Sequence, residues 1–123
     1  MAHLIGPDFI GIQAEDLDAA RTFYTEIVGL KVAAHSPPGA VVFDTAPVPF
    51  AVRKPLTELK ETDRLGVGIA IWFGCDDADA LHDHLVKHGT PIVFTPKDGP
   101  FGRYFAFRDP FGYTLTPHTI AQL

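Results

Sequence analysis

Residues 102–116 have the sequence GRYFAFRDPFGYTLT and predict a β-hairpin with a tight turn. The segment 104–108 is aromatic and alternates in polarity, which is typical of a half-buried strand. The turn is predicted at Asp109-Pro110-Phe111-Gly112, because proline fixes φ early in a turn and glycine accepts a positive φ later in it. A second strand is predicted over 113–116. The role of this hairpin depends on the chain that precedes it.

The composition indicates a single packed domain over residues 1–123, with 46% hydrophobic and 20% charged residues. The net charge of −5 and the lack of a basic run argue against nucleic acid as a partner. No apolar run approaches the about 20 residues that cross a bilayer, so we expect no membrane association. The N-terminal sequence lacks secretory features, and the single cysteine, Cys75, excludes an internal disulfide. We therefore expect a cytoplasmic protein.

Residues 9–53 predict a βαβββ module. A strand is expected at 9–14, followed by a helix that Asp16 or Asp18 can cap. The helix has a continuous apolar face, and Gly29 suits its C-terminal end. Three short strands are then expected at 31–35, 41–44 and 50–53.

A charged linker is predicted at 54–65, and residues 66–118 predict a second module with the same order of elements. Its strand at 66–74 precedes a helix capped by Asp76 or Asp77, then a strand at 92–95 and the hairpin. The two helix starts are also similar in sequence, since DLDA at 16–19 resembles DADA at 77–80. Two similar units indicate internal duplication, so the predicted fold is α+β with two βαβββ modules.

These motifs in combination resemble the vicinal oxygen chelate superfamily, which contains glyoxalases, bleomycin resistance proteins and extradiol dioxygenases. The resemblance rests on DLDAARTFY at 16–24, IVGL at 27–30 and the DPFG turn at 109–112, and it covers about residues 9–117. It implies mixed sheets that curl into a cup with the ligand inside. It also implies a homodimer, as in many members.

Metal-dependent members of that superfamily hold a divalent ion with His, Glu or Gln ligands. The resemblance places three ligand positions at Phe9, Ala70 and Thr116, and the segment 46–57 contains no His, Asp, Glu or Gln. A phenyl ring, a methyl group and a single hydroxyl cannot hold a hard divalent cation. We therefore expect neither a metal nor another cofactor.

Several side chains are candidates for lining the cup. Trp72, the only tryptophan, could stack on a planar ligand or could be plain core. Arg108 could pair with a ligand carboxylate or phosphate, or could form a structural ion pair at the turn. His118 could act as an acid or base, or could be solvated near the C-terminus. The predicted ligand-binding residues are Phe9, Gln13, Trp72, Tyr104, Arg108, Thr116 and His118.

The sequence predicts metal-independent binding of a small planar or aromatic molecule, similar to sequestration by bleomycin resistance proteins. An alternative is a glyoxalase-like lyase, isomerase or dioxygenase with a non-standard metal site, or with acid/base chemistry from Tyr104, His118 or Gln13. A third interpretation is an accessory domain whose cup Phe9 and Trp72 fill. The expected partners are a small molecule and a second copy of the chain. Fold alone does not choose among these.

Overall fold

A computed structural model describes residues 2, 5, 7–55, 58–60, 64–66 and 69–120. The chain divides into two compact units, residues 1–59 and 60–123. Parts of the predicted linker (56–57 and 61–63) and of the predicted strand at 66–74 (67–68) lie outside the described residues. No helix of the described part is long and apolar enough to cross a membrane. Both units combine a mixed sheet with a helix, so the fold is α+β as predicted.

The first unit contains a three-stranded sheet in the order β1-β3-β2. Strand β1 (Ile10–Gln13) runs parallel to β3 (Phe50–Arg53), and β2 (Ala40–Phe43) pairs with β3 in the antiparallel sense. Helix α1 (Leu17–Thr22) continues directly into a π-helical turn (Phe23–Ile27). Side chains from this helical stretch, from β2 and from β3 therefore form the centre of the unit's core.

Tyr24 occupies that centre and is 1% exposed. Its ring centroid lies 5.2 Å from that of Phe50, 5.6 Å from that of Phe43 and 5.1 Å from that of Phe23. Aromatic pairs at these separations add stability beyond the area that they bury. The apolar face predicted for the helix thus packs on the sheet through Tyr24.

The strand predicted at 31–35 is wrong, because the structure has only an isolated bridge between Val32 and Phe43 there. The N–H of Ala33 donates to the carbonyl of Val42 at 2.8 Å, so pairing begins. The N–H of Val42 then donates to Oγ of Ser36 at 2.9 Å instead of to another backbone carbonyl. A serine side chain that competes in this way ends the ladder.

The second unit contains a four-stranded sheet in the order β4-β7-β6-β5. Strand β4 (Ile71–Cys75) is parallel to β7 (Thr114–Thr119), and β6 (Tyr104–Arg108) is antiparallel to β7 and to β5 (Ile92–Lys97). Helix α2 (Ala78–Lys87) packs against β5, β6 and β7. The largest buried side chains of this unit are Leu85, Phe105, Phe107, Leu115 and Pro117.

Both helices begin at aspartates that the sequence singled out. Asp16 accepts a hydrogen bond from the N–H of Ala19 at 2.9 Å, and Asp77 accepts one from Ala80 at 3.0 Å. Each carboxylate satisfies a backbone donor that a helix start leaves without an internal partner. The helices of the two units therefore start with the same kind of cap.

The hairpin predicted at 102–116 is present, and its turn is held by a buried carboxylate. Asp109 is 4% exposed, and its Oδ1 accepts hydrogen bonds from the N–H groups of Phe111 and Tyr113, each at 2.9 Å. Gly112 has a φ of +98°, which a glycine adopts without strain. By contrast, the strand predicted over 66–74 is observed at Ile71–Cys75, and Gly66, with a φ of +76°, lies in a turn.

Candidate functional site

One face of the second unit's sheet points away from α2. The ring of His82 on α2 contacts Phe105 of β6 at 5.4 Å, which identifies the helix-covered side. Leu115 and Pro117 on β7 are buried. Because side chains alternate along a strand, Thr114, Thr116 and His118 lie on the opposite face. Trp72, which is the register partner of Thr116, shares that face and is 45% exposed.

Aromatic rings collect on this face from all four strands and one loop. The indole of Trp72 stacks on Tyr104 with centroids 5.5 Å apart and an interplanar angle of 25°. His118 and Phe101 meet the indole edge to face at 5.7 and 5.9 Å, and Phe94 meets Tyr104 in the same way at 5.5 Å. We call these five residues the aromatic face.

Trp72 is the centre of the aromatic face. Its ring contacts Tyr104, Phe101 and His118, yet almost half of the side chain is exposed. A core aromatic is enclosed on all sides, whereas this indole is held in place and still offers apolar surface. A planar molecule can stack on such a surface with little reorganisation of the protein.

One ring nitrogen of His118, Nδ1, forms a hydrogen bond within the protein. This atom lies 2.9 Å from the carbonyl oxygen of Phe101. A carbonyl oxygen only accepts hydrogen bonds, so Nδ1 must carry the proton. In the neutral ring Nε2 is then the unprotonated nitrogen, and it has no hydrogen-bond partner among the described residues. Nε2 can therefore accept a hydrogen bond, or a proton, from a molecule on the aromatic face.

A cation stands at the β5 end of the aromatic face. The Nζ atom of Lys97 lies 4.4 Å from the ring centroid of Phe94 and 5.5 Å from that of Tyr104. These distances are within the range of cation–π attraction. The ammonium group therefore helps to hold the two rings in place.

Arg108 lies at the other end of β6, in a groove of about 380 Å³. Thr114, its register partner on β7, lines the same groove together with Arg64 and the turn residues Phe111 and Gly112. No acidic side chain of the described residues forms an ion pair with Arg108. The structural ion pair that the sequence left open for Arg108 is thus not formed with any acid in the part of the chain that the structure describes.

Two predicted site residues belong to the first unit. Phe9 directly precedes β1 and is 52% exposed, and Gln13 ends that strand half-buried. The structure therefore brings together Trp72, Tyr104 and His118 on the second unit, with Thr116 beside them. Phe9 and Gln13 remain predicted site residues.

Sequence reasoning missed three members of the arrangement, Phe94, Phe101 and Arg64. Phe101 and Arg64 belong to loops, and a loop residue's neighbours depend on tertiary structure rather than on strand parity. Phe94 could have been found, because it sits in the predicted strand at 92–95 on a sheet rich in aromatic residues.

The donor groups do not fit a divalent metal at the positions that the resemblance implies. Phe9 and Ala70 offer no donor atom, and Thr116 offers one hydroxyl. Within the described ranges, no group of three or more His, Cys, Asp or Glu residues is arranged to hold a metal ion. The groups that this face offers to a ligand are therefore aromatic rings, an imidazole and cationic side chains.

Comparison with known proteins gives one family and several relatives. The family model described as Glyoxalase/Bleomycin resistance protein/Dioxygenase superfamily matches residues 6–116. The uncharacterized protein YetH of Bacillus subtilis (strain 168) is 26% identical over 108 residues, which cover 84% of this chain and 88% of YetH.

Solved structures share the fold at low sequence identity. A glyoxalase/bleomycin resistance protein/dioxygenase from Nocardioides has a TM-score of 0.72 and 18% identity, with 100% of this chain and 92% of that chain covered. The lactoylglutathione lyase from Agrobacterium tumefaciens has a TM-score of 0.64 and 19% identity, with coverages of 93% and 92%. At these identities the likeness concerns the fold alone.

Proposed function

The chain belongs to the glyoxalase/bleomycin resistance protein/dioxygenase superfamily, and from this premise we propose that it binds a small planar or aromatic molecule by stacking on Trp72. The observation that carries the proposal is the indole itself, which is 45% exposed and backed by Tyr104, Phe101 and His118. Small-molecule sites combine apolar walls with a few polar groups that orient the ligand. Here Nε2 of His118 and the hydroxyl of Thr116 supply such groups.

Binding in this proposal needs no metal, since the donor set does not fit one. The resulting activity is sequestration of the bleomycin-resistance type, in which affinity alone removes the molecule from solution. A second candidate is acid/base chemistry on the bound molecule, which the free Nε2 of His118 favours. Both candidates require the same stacking step on Trp72.

The test uses coumarin-3-carboxamide, a neutral planar probe that absorbs where tryptophan emits. We expect saturable quenching of Trp72 fluorescence, with N-acetyltryptophanamide as the control for inner-filter effects. Trp72→Ala should weaken binding at least tenfold in equilibrium dialysis, because loss of a buried aromatic anchor costs about 2 kcal/mol or more. Trp72→Phe should retain part of the affinity, since it keeps a ring at this position.

Val86→Ala provides the matched control, because Val86 lies on α2 and is 51% exposed. It should leave probe affinity unchanged. Trp72→Ala should also destabilise the protein by less than the about 3–5 kcal/mol expected for a fully packed aromatic. Unchanged affinity in a folded Trp72→Ala protein would remove Trp72 from the site and contradict the proposal.

The proposal includes a homodimer. Its support is the open form of both sheets, in which β1 and β2 are the edge strands of one sheet and β4 and β5 those of the other. Edge strands carry backbone donors and acceptors that a second chain can pair with. Association of two copies by a closed twofold arrangement is the most frequent form among soluble oligomers.

A further inference from the structure

We propose that the ligand class is a planar aromatic anion, whose negative group binds Arg108 and Arg64 while its ring stacks on Trp72. The inference rests on the proposed stacking function and adds the charge and length of the ligand. It arises from two features that share one sheet face, the aromatic face and the groove beside it.

The groove brings together two guanidinium groups that form no ion pair with an acidic side chain of the described residues. Arg64 and Arg108 both line it, and neither forms an ion pair with a described residue. Arg103 in the same unit differs, because its Nε lies 3.1 Å from Oδ2 of Asp79. In a chain of net charge −5, two guanidinium groups at one groove, neither paired with an acid in the described ranges, suit an anionic partner.

The register of the strands sets the distance between the two features. Trp72 is level with Thr116, and Arg108 is level with Thr114 on the same strand β7. Two residues along a strand span about 7 Å, and because Trp72 on β4 and Arg108 on β6 flank β7, two strand spacings add about 10 Å across the sheet, so their Cα atoms are about 12 Å apart. Since Thr114 and Thr116 project from one face, a carboxylate attached to a stacked bicyclic ring lies within reach of an extended arginine side chain.

Gly66 brings Arg64 to this groove. It has a φ of +76°, and a Cβ atom added there would lie 2.8 Å from Cδ1 of Tyr113. The chain at 64–66 can therefore pass directly against the hairpin only with glycine at this position. This close approach places Arg64 beside Arg108 and the turn residues in the groove.

Lys97 is the other cation near the aromatic face, and the structure favours Arg108 over it. The ammonium group of Lys97 already interacts with the rings of Phe94 and Tyr104. A guanidinium group matches a carboxylate with two parallel hydrogen bonds, whereas an ammonium group acts as a point charge.

The experiment compares coumarin-3-carboxylate with coumarin-3-carboxamide, which have the same ring and size but differ in charge. Equilibrium dialysis should show that the wild-type protein binds the carboxylate about tenfold more tightly than the amide, as charge-assisted hydrogen bonds predict. Arg108→Gln should remove most of that preference, with a smaller effect on the amide than on the carboxylate. Lys97→Gln removes the charge that is next to Phe94 and Tyr104 and should keep the preference between the two probes.

The outcomes separate this inference from the proposed function. Equal binding of both probes, with both lost in Trp72→Ala, would overturn the anion site while the stacking function stands. Loss of the preference in Lys97→Gln but not in Arg108→Gln would also overturn it. If neither probe binds, both proposals fail. Circular dichroism of each variant checks that any loss of affinity is measured on a folded protein. Rising salt concentration should weaken binding of the carboxylate probe and leave binding of the amide probe unchanged.

Discussion

Cys75 shows how its surroundings control a single residue's chemistry. The thiol is half-buried at the end of β4, and burial raises its pKa, with the carboxylate of Asp76 adding to the shift. A raised thiol pKa means that less of the group is thiolate at neutral pH. The thiolate is the nucleophile, so Cys75 is protected from alkylation and oxidation there.

We expect iodoacetamide to modify Cys75 more slowly than N-acetylcysteine at neutral pH. The rate should rise with pH and continue to rise beyond the range in which an exposed thiol has levelled off, because the pKa is shifted upward. Mass spectrometry of quenched time points measures the rate across the pH series. A rate at neutral pH equal to that of N-acetylcysteine would contradict the upward shift.

At the same scale, strand parity explains what could be predicted of the site. Alternation along β4, β6 and β7 is a local property, so the sequence could place Trp72, Tyr104 and His118 on one face. The sequence could not predict the hydrogen-bond partner of Nδ1 of His118, because that partner is the carbonyl of Phe101, a loop residue. It also could not place Arg64, whose approach depends on the contact between Gly66 and Tyr113.

At the scale of elements, the hairpin turn depends on Asp109. Its buried carboxylate accepts hydrogen bonds from the N–H groups of Phe111 and Tyr113. Asp109→Ala removes both acceptors and leaves the two donors inside the turn. A buried donor left without a partner costs about 1–3 kcal/mol, and the N–H of Phe111 is only partly buried, so we expect the two together to lower the free energy of unfolding by about 2–4 kcal/mol.

Asp109→Asn is the matched control for that prediction. Asparagine keeps one oxygen at the position of Oδ1. Urea unfolding should therefore show a much smaller loss of stability for Asp109→Asn than for Asp109→Ala. Equal losses for alanine and asparagine would mean that the negative charge, rather than the hydrogen bonds, stabilises the turn.

The predicted strand at 31–35 marks the limit of element prediction. Its residues have the apolar pattern of a strand, and one bridge does form at Val32. The ladder ends because Oγ of Ser36 accepts the hydrogen bond from the N–H of Val42. The polarity pattern of 31–35 gives no information about this bond. The Asp-Pro-x-Gly turn was predictable because its requirements lie within four consecutive residues.

At the scale of the whole molecule, the edge strands lead to a prediction about assembly. We expect a dimer with about twice the chain mass of 13.4 kDa in light scattering at micromolar concentration. The mass should stay constant on dilution until the dissociation constant is reached and should then fall. A mass of one chain at all concentrations would contradict the dimer. It would not affect the stacking site, because all residues of the aromatic face belong to the second unit of one chain.

The hydrogen bond from Nδ1 of His118 to Phe101 has a consequence for selectivity. Because Nδ1 is already committed as the donor to that carbonyl, the neutral ring presents Nε2 as an acceptor to the aromatic face. A planar molecule that brings a hydroxyl or an N–H group to the edge of this ring can therefore form a hydrogen bond there. A molecule of the same shape that brings only a carbonyl oxygen would place two acceptors against each other and should be rejected.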